Sequence, residues 1–157
     1  MLTSWLHLLG LTVYLGALIG LRFVLFPVLS GVQDHETRVA LLSRTLKLYN
    51  PVQIGALGIL VLTGAFQLTE LKAVYRDLFL QQIGWSLAVK LGLSFFLIMI
   101  STYQAMGVGH RFVKRCELGD PVSPDDLQSV IRRLKGPVSP LFILACLTAF
   151  LGLVMRG

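Results

Sequence analysis

A chain of 157 residues that is 55% hydrophobic and only 14% charged falls well short of the roughly one-quarter charged content of soluble domains. Its net charge of +6 and pI of about 9.8 would suit nucleic acid in a soluble protein, but here the cations flank long apolar runs, so membrane topology and anionic lipid account for them. The two cysteines, Cys116 in a polar loop and Cys146 in an apolar run, form no C-x-x-C pair, which excludes a disulfide framework, a zinc ribbon and covalently attached c-type haem.

The first element is "TSWLHLLGLTVYLGALIGLRFVLFPVL", residues 3–29. It is long enough to cross a hydrocarbon layer about 30 Å thick, which needs roughly 20 apolar residues, and it lacks the basic start of a secretory signal. It is expected as a retained span. His7 lies near one end and Arg22 nearer the other. Ionisable groups within spans usually face the bundle interior and mark function. At 100° per residue, Tyr14 falls within about 20° of His7, and Arg22 about 60° away. Arg22 also reads as a structural cation snorkelling toward headgroups. "GALIG", Gly16 to Gly20, fits the small-xxx-small signature of close helix packing.

Residues 33–51, "QDHETRVALLSRTLKLYNP", predict an amphipathic helix in the first loop with Asp34 as its cap. The second span is expected over 51–69, with Asn50 as N-cap and Pro51 in the first turn. It carries Gln53, Thr63 and Gln67. The third span, 83–107, holds Lys90 about two turns inside its end, with Ser94, Ser101 and Gln104 within about 40° of it. Met99 and Met106, seven apart, read as core packing. "SPDDLQSVIRRLKG" then predicts an interfacial helix: Ser123 caps it, Pro124 begins it, and Asp125 and Asp126 meet its positive dipole end. Leu127, Val130, Ile131 and Leu134 form its apolar stripe. The fourth span is expected over 137–156, with Pro137 in its first turn and Cys146 as a buried small hydrophobe. His35 and His110 are expected in solvated positions.

The fold class that follows is all-α: one domain over residues 1–157, a polytopic membrane four-helix bundle with short amphipathic helices in its two cytoplasmic loops. Arg38, Arg44, Lys47, Arg111, Lys114, Arg115, Arg132, Arg133 and Lys135 lie on the face of the 1–2 and 3–4 loops. Lys72, Arg76 and Arg156 lie on the other. Nine cations against three put the long loops in the cytoplasm and both termini outside an inner (plasma) membrane. His7 and Lys90 then share a depth in the outer half. Spans one to three would line a polar interior, with the fourth closing it.

At these residues the sequence resembles a known group. "LHLLGLTVYLGALIGLRFVLFPVL" is similar to the first helix of the copper-resistance protein D (CopD) family, and "YNPVQIGALGILVLTGAFQL" and "GWSLAVKLGLSFFLIMIS" to the two helices that follow. The same order of features resembles HemJ, a haem-associated four-helix protoporphyrinogen oxidase. The resemblance covers roughly residues 4 to 115. Tyr14 stands where tryptophan is usual, and Phe26-Pro27 replaces a Tyr-His ending the first helix. The resemblance implies His7 as the first-helix histidine and metal ligand, Lys90 as the third-helix lysine, and Arg22 as a HemJ-type arginine, with Tyr14 beside them.

Three functions follow as expectations. The first is a b-type haem or membrane redox protein, with His7 on the iron and Lys90 and Arg22 toward the propionates. The second is copper transport or resistance through His7, Cys146, Met99 and Met106, since Cu(I) favours such ligands. The third is a non-catalytic accessory subunit, as a homodimer or in a larger membrane complex. The lipid bilayer is the expected partner in all three, and nucleic acid in none.

Overall fold

The computed structural model describes residues 2–74 and 84–154, and its ordered elements are all helical. The expected start of the third span at 83 and end of the fourth at 156, with Arg76 and Arg156, lie outside the described residues. Four long rods result. The first joins α1 (Leu2–Ile19), a π-helical turn (Gly20–Leu25) and α2 (Phe26–Gly31). The second is α3 (His35–Val74). The third joins α4 (Gly84–Thr102), a second π-helical segment (Tyr103–His110) and α5 (Arg111–Glu117). The fourth is α6 (Pro124–Val154). All four are long and apolar enough to cross a membrane.

The rods overrun the expected spans. α3 has 40 residues and so is about 60 Å long, twice the hydrocarbon thickness. The two amphipathic segments expected in the loops are helical, but as the first turns of α3 and α6, which run on without a break. Pro51 and Pro137 therefore sit inside helices, and Asn50 is a buried interior residue, not an N-cap. Each proline removes one backbone bond. A capped helix already propagating through His35–Asn50 outweighs that single loss, because extension is cooperative once nucleated.

The caps themselves fall where the sequence puts them. The Thr37 amide donates to Asp34 Oδ2 at 2.9 Å, and the Thr37 hydroxyl bonds the same oxygen. The Asp126 amide donates to Ser123 Oγ at 3.1 Å. Only residues 32–34 and 118–123 interrupt the helices at this end, and Gly119, at φ 75°, supplies the left-handed residue that stops α5. His35, expected in solvent, is half-buried and ties the two turns together, its Nε2 lying 2.7 Å from the Val122 carbonyl. Lys47 and Glu117 pair at 2.6 Å, and Arg115 and Asp126 at 3.6 Å. All nine cations assigned to the loops lie in the helical stretches that flank the two turns on this side, which is therefore the basic end.

α1 packs chiefly on α3, and α4 on α6. The enclosed core runs from Tyr14 and Leu18 through Leu42 and Leu46 to Leu127, Leu134 and Leu141, on the basic side of the bundle. Toward the terminal end the enclosure stops. Among the described residues, none of the side chains over 2–9, 64–69, 85–96 and 146–151 is buried. Between 22 and 28% of each rod's apolar stretch is buried, so most of it faces outward.

Several packing expectations are overturned. Met99, Met106 and Cys146 are exposed, not interior. A Cβ at Gly16 or Gly20 would meet nothing within 4 Å, so the small-xxx-small motif seats no helix of this chain. Gly10 is the close approach instead, where a Cβ would stand 3.1 Å from Ile59 Cγ2. Outward-facing and interior positions are both apolar, so residue type alone does not separate them.

Candidate functional site

His7 is half-buried on α1 and meets Thr63 of α3, with Nδ1 2.8 Å from Oγ1. The Thr63 hydroxyl donates its single proton to the Ile59 carbonyl at 2.6 Å. It therefore accepts from His7, whose Nδ1 carries the hydrogen of that bond. Metal-ligating histidines are commonly oriented by such a bond at one ring nitrogen. Gly64 packs beside the ring, 3.7 Å from Cε1 to where a Cβ would stand.

Tyr14 stands seven residues, about 10 Å, further along α1. It belongs to a separate cluster. Fully buried, its hydroxyl bonds Ser101 of α4 and also reaches the Gln53 amide of α3. Gln53 Nε2 lies 3.4 Å from Gln104 Oε1, a long contact, while Gln104 Nε2 donates to the Leu134 carbonyl of α6 at 2.9 Å. Side chains of three rods thus meet in one neutral polar core, and the fourth rod takes part through its backbone. Asn50 lies against the second π-helical segment, its amide where a Cβ on Gly109 would be 2.7 Å from Oδ1. The hydroxyl of Tyr49, Oδ1 of Asn50 and Oε1 of Gln53 are buried with no hydrogen-bond partner among the described residues.

Lys90 is half-buried on α4 in the loosely enclosed terminal half, as His7 is on α1. Arg22 is half-buried in the first π-helical turn, far down the rod toward the basic end. That turn has a local cause. Pro27 would press on the Phe23 carbonyl four residues back, and widening the helix over Gly20–Leu25 relieves this. Of the sequence-derived site residues, His7 and Lys90 share the terminal half, Tyr14 joins the central core, and Arg22 sits at the basic end. His110 is exposed at that same end. No three His, Cys, Asp or Glu side chains gather as a metal-ligand set among the described residues. The partners missed in the sequence are Thr63 for His7 and the Leu134 carbonyl for Gln104. Thr63 was visible as a polar residue in an apolar run; a backbone carbonyl carries no sequence mark.

The fold and site define an all-helical protein with four helices able to cross a membrane, a buried neutral polar core, and an anchored histidine beyond it. No known protein family, no characterised protein and no solved structure matches the chain.

Proposed function

We propose that this chain is a multi-pass membrane protein of the CopD/HemJ-like type that binds b-type haem through His7 in the half of the bundle away from its basic end. The observation that carries this reading is the anchored imidazole: Thr63 of α3 holds Nδ1 of the half-buried His7 on α1, in the part of the molecule where side chains are least enclosed. His7 alone would hold the iron, because His35 and His110 belong to the opposite end. Lys90 at the same depth would meet a propionate. Bound haem would supply one-electron chemistry; the chain's own residues hold and orient it. Membrane insertion is supported by the outward-facing apolar surface of every rod, far beyond the few hundred Å² that soluble monomers expose. Nine cations at one end support placing that end in the cytoplasm.

Copper is less well supported. Met99, Met106 and Cys146 lie on the outer surface, so they make no sulfur ladder inside the bundle. An accessory role has one observation in its favour: the open terminal half would equally receive a partner's helices.

The detergent-purified protein should show a Soret band with about one haem per chain. His7→Ala should remove it without loss of helical content. Thr63→Val, which leaves Nδ1–H without its acceptor, should lower haem affinity by about 10- to 100-fold. Stoichiometric copper without a Soret band would favour the second reading, and co-purification of a partner with neither would favour the third.

A further inference from the structure

Between α1 and α3, on the basic side of the polar core, lies an open groove of about 440 Å³. Its floor exists because Ala17 and Gly20 have almost no side chain, and Leu48 and Val52 form its other wall. This is the "GALIG" stretch, whose glycines touch no helix of this chain. The volume lies within the range of about 300–1,000 Å³ typical of sites for small organic ligands. Arg44 and Thr45 line the same groove one to two turns nearer the basic end. The groove is therefore amphipathic along its length. It is cationic and hydroxylated at the basic end, and purely apolar deeper in.

The charge there is uncommitted. Among the described residues, Arg44 and Arg22 make no ion pair, whereas Lys47 and Arg115 do. The antiparallel register set by His7–Thr63 brings Arg22 to the depth of Arg44–Leu48. Two unpaired guanidinium groups thus stand near one level, where the apolar stretch gives way to the basic end.

We propose that this groove binds an anionic phospholipid of the leaflet on the basic side, with its phosphate on Arg44 and an acyl chain over Ala17, Gly20 and Val52. A basic recess between helices at that leaflet is where acidic headgroups are recognised. A free phosphate would leave the apolar part of the groove, over Ala17, Gly20 and Val52, unfilled. A second copy of the chain fits worse. Parallel copies related by a two-fold axis in the membrane would bring Arg44 against its own symmetry mate in a poorly hydrated interface. An acidic lipid neutralises the same charge.

This inference rests on membrane insertion and is independent of haem. The test uses the full chain reconstituted in phosphatidylcholine vesicles containing a minor fraction of phosphatidylglycerol, followed by native mass spectrometry of the co-retained lipid. Wild type should retain phosphatidylglycerol in preference to phosphatidylcholine. Arg44→Gln should cut that preference about 5-fold, the effect of one cation near an acidic headgroup. Ala17→Leu, which fills the floor, should lower retention of both lipids. Arg133→Gln, an exposed cation on α6, should leave retention unchanged. Equal losses from Arg133→Gln and Arg44→Gln would mean diffuse attraction and overturn the proposal. So would no loss from Arg44→Gln, or disulfide-linked dimers from Ala17→Cys. A chain absent from the membrane fraction would instead refute membrane insertion itself.

Discussion

Tyr14 and Tyr49 sit on neighbouring helices within electrostatic range of each other, yet their hydroxyls have opposite circumstances. Tyr14 bonds Ser101, while the Tyr49 hydroxyl is buried with no partner among the described residues. Deleting a bonded hydroxyl orphans its partner; deleting an unpartnered one removes a desolvation cost. Tyr14→Phe should therefore destabilise the bundle by about 1 kcal/mol, near the middle of the values found for hydrogen bonds inside membranes. Tyr49→Phe should leave stability unchanged or raise it. Reversible unfolding in mixed micelles would show this, and an equal loss from both variants would contradict the assignment. Gln53 stood out only as a polar residue in an apolar run, but the shared faces of Tyr14 with His7, and of Ser101 and Gln104 with Lys90, were legible from helical spacing. Their partners were not, because Tyr14 and Ser101 are 87 residues apart and His7 and Thr63 are 56. Such pairings depend on which helices meet and in what register. No local pattern encodes that.

At the level of the helices, the four apolar runs were plain in the sequence but their ends were not. Pro51 and Pro137 carry the marks of helix starts, and each lies within a rod because the amphipathic segment before it is itself a capped helix. A proline next to an already formed helix costs one bond; it does not force a stop. The cap at Asp34 makes this testable through pH. Its carboxylate is held below the ordinary carboxylate range, first by the Thr37 hydroxyl and then by the Thr37 amide. A depressed folded-state value means the stabilisation is complete above the unfolded carboxylate pKa of about 3.9 and fades as pH falls through the lower, folded value. Protection of the Thr37 amide, its exchange measured against the intrinsic rate at each pH, should be lost over that acidic interval in wild type and be absent at every pH in Asp34→Ala. An unchanged exchange profile in Asp34→Ala would refute the cap. The second π-helical segment offers a separate test. Alanine at Gly109 would drive its Cβ into the Asn50 amide, which is 8% exposed and has little room to swing away. Gly109→Ala should cost about 1–3 kcal/mol, as overpacking does, and Asn50→Ala should restore most of it. Additive losses in the double variant would show that the two residues do not touch.

Across the whole molecule, charge is segregated along the rods, and this orders the ends. The turns at 32–34 and 118–123 carry the basic end with them. If nine cations place that end in the cytoplasm, Asp120→Cys in the exposed 3–4 turn should react with an impermeant maleimide only after cells are opened. Reaction in intact cells would reverse the orientation. The neutral polar core has a further consequence for assembly. A soluble helix finds its rotation by turning its oily side away from water, but these rods are oily nearly all round, and in a bilayer that cue would be absent. Little else tells each rod which way to face. Tyr14, Gln53, Ser101 and Gln104 supply that instruction, since turning any one rod out of place would strand an amide or hydroxyl in hydrocarbon. The cluster works as a key in a lock with three tumblers: it contributes modest energy but admits one azimuth for each rod whose side chains enter it.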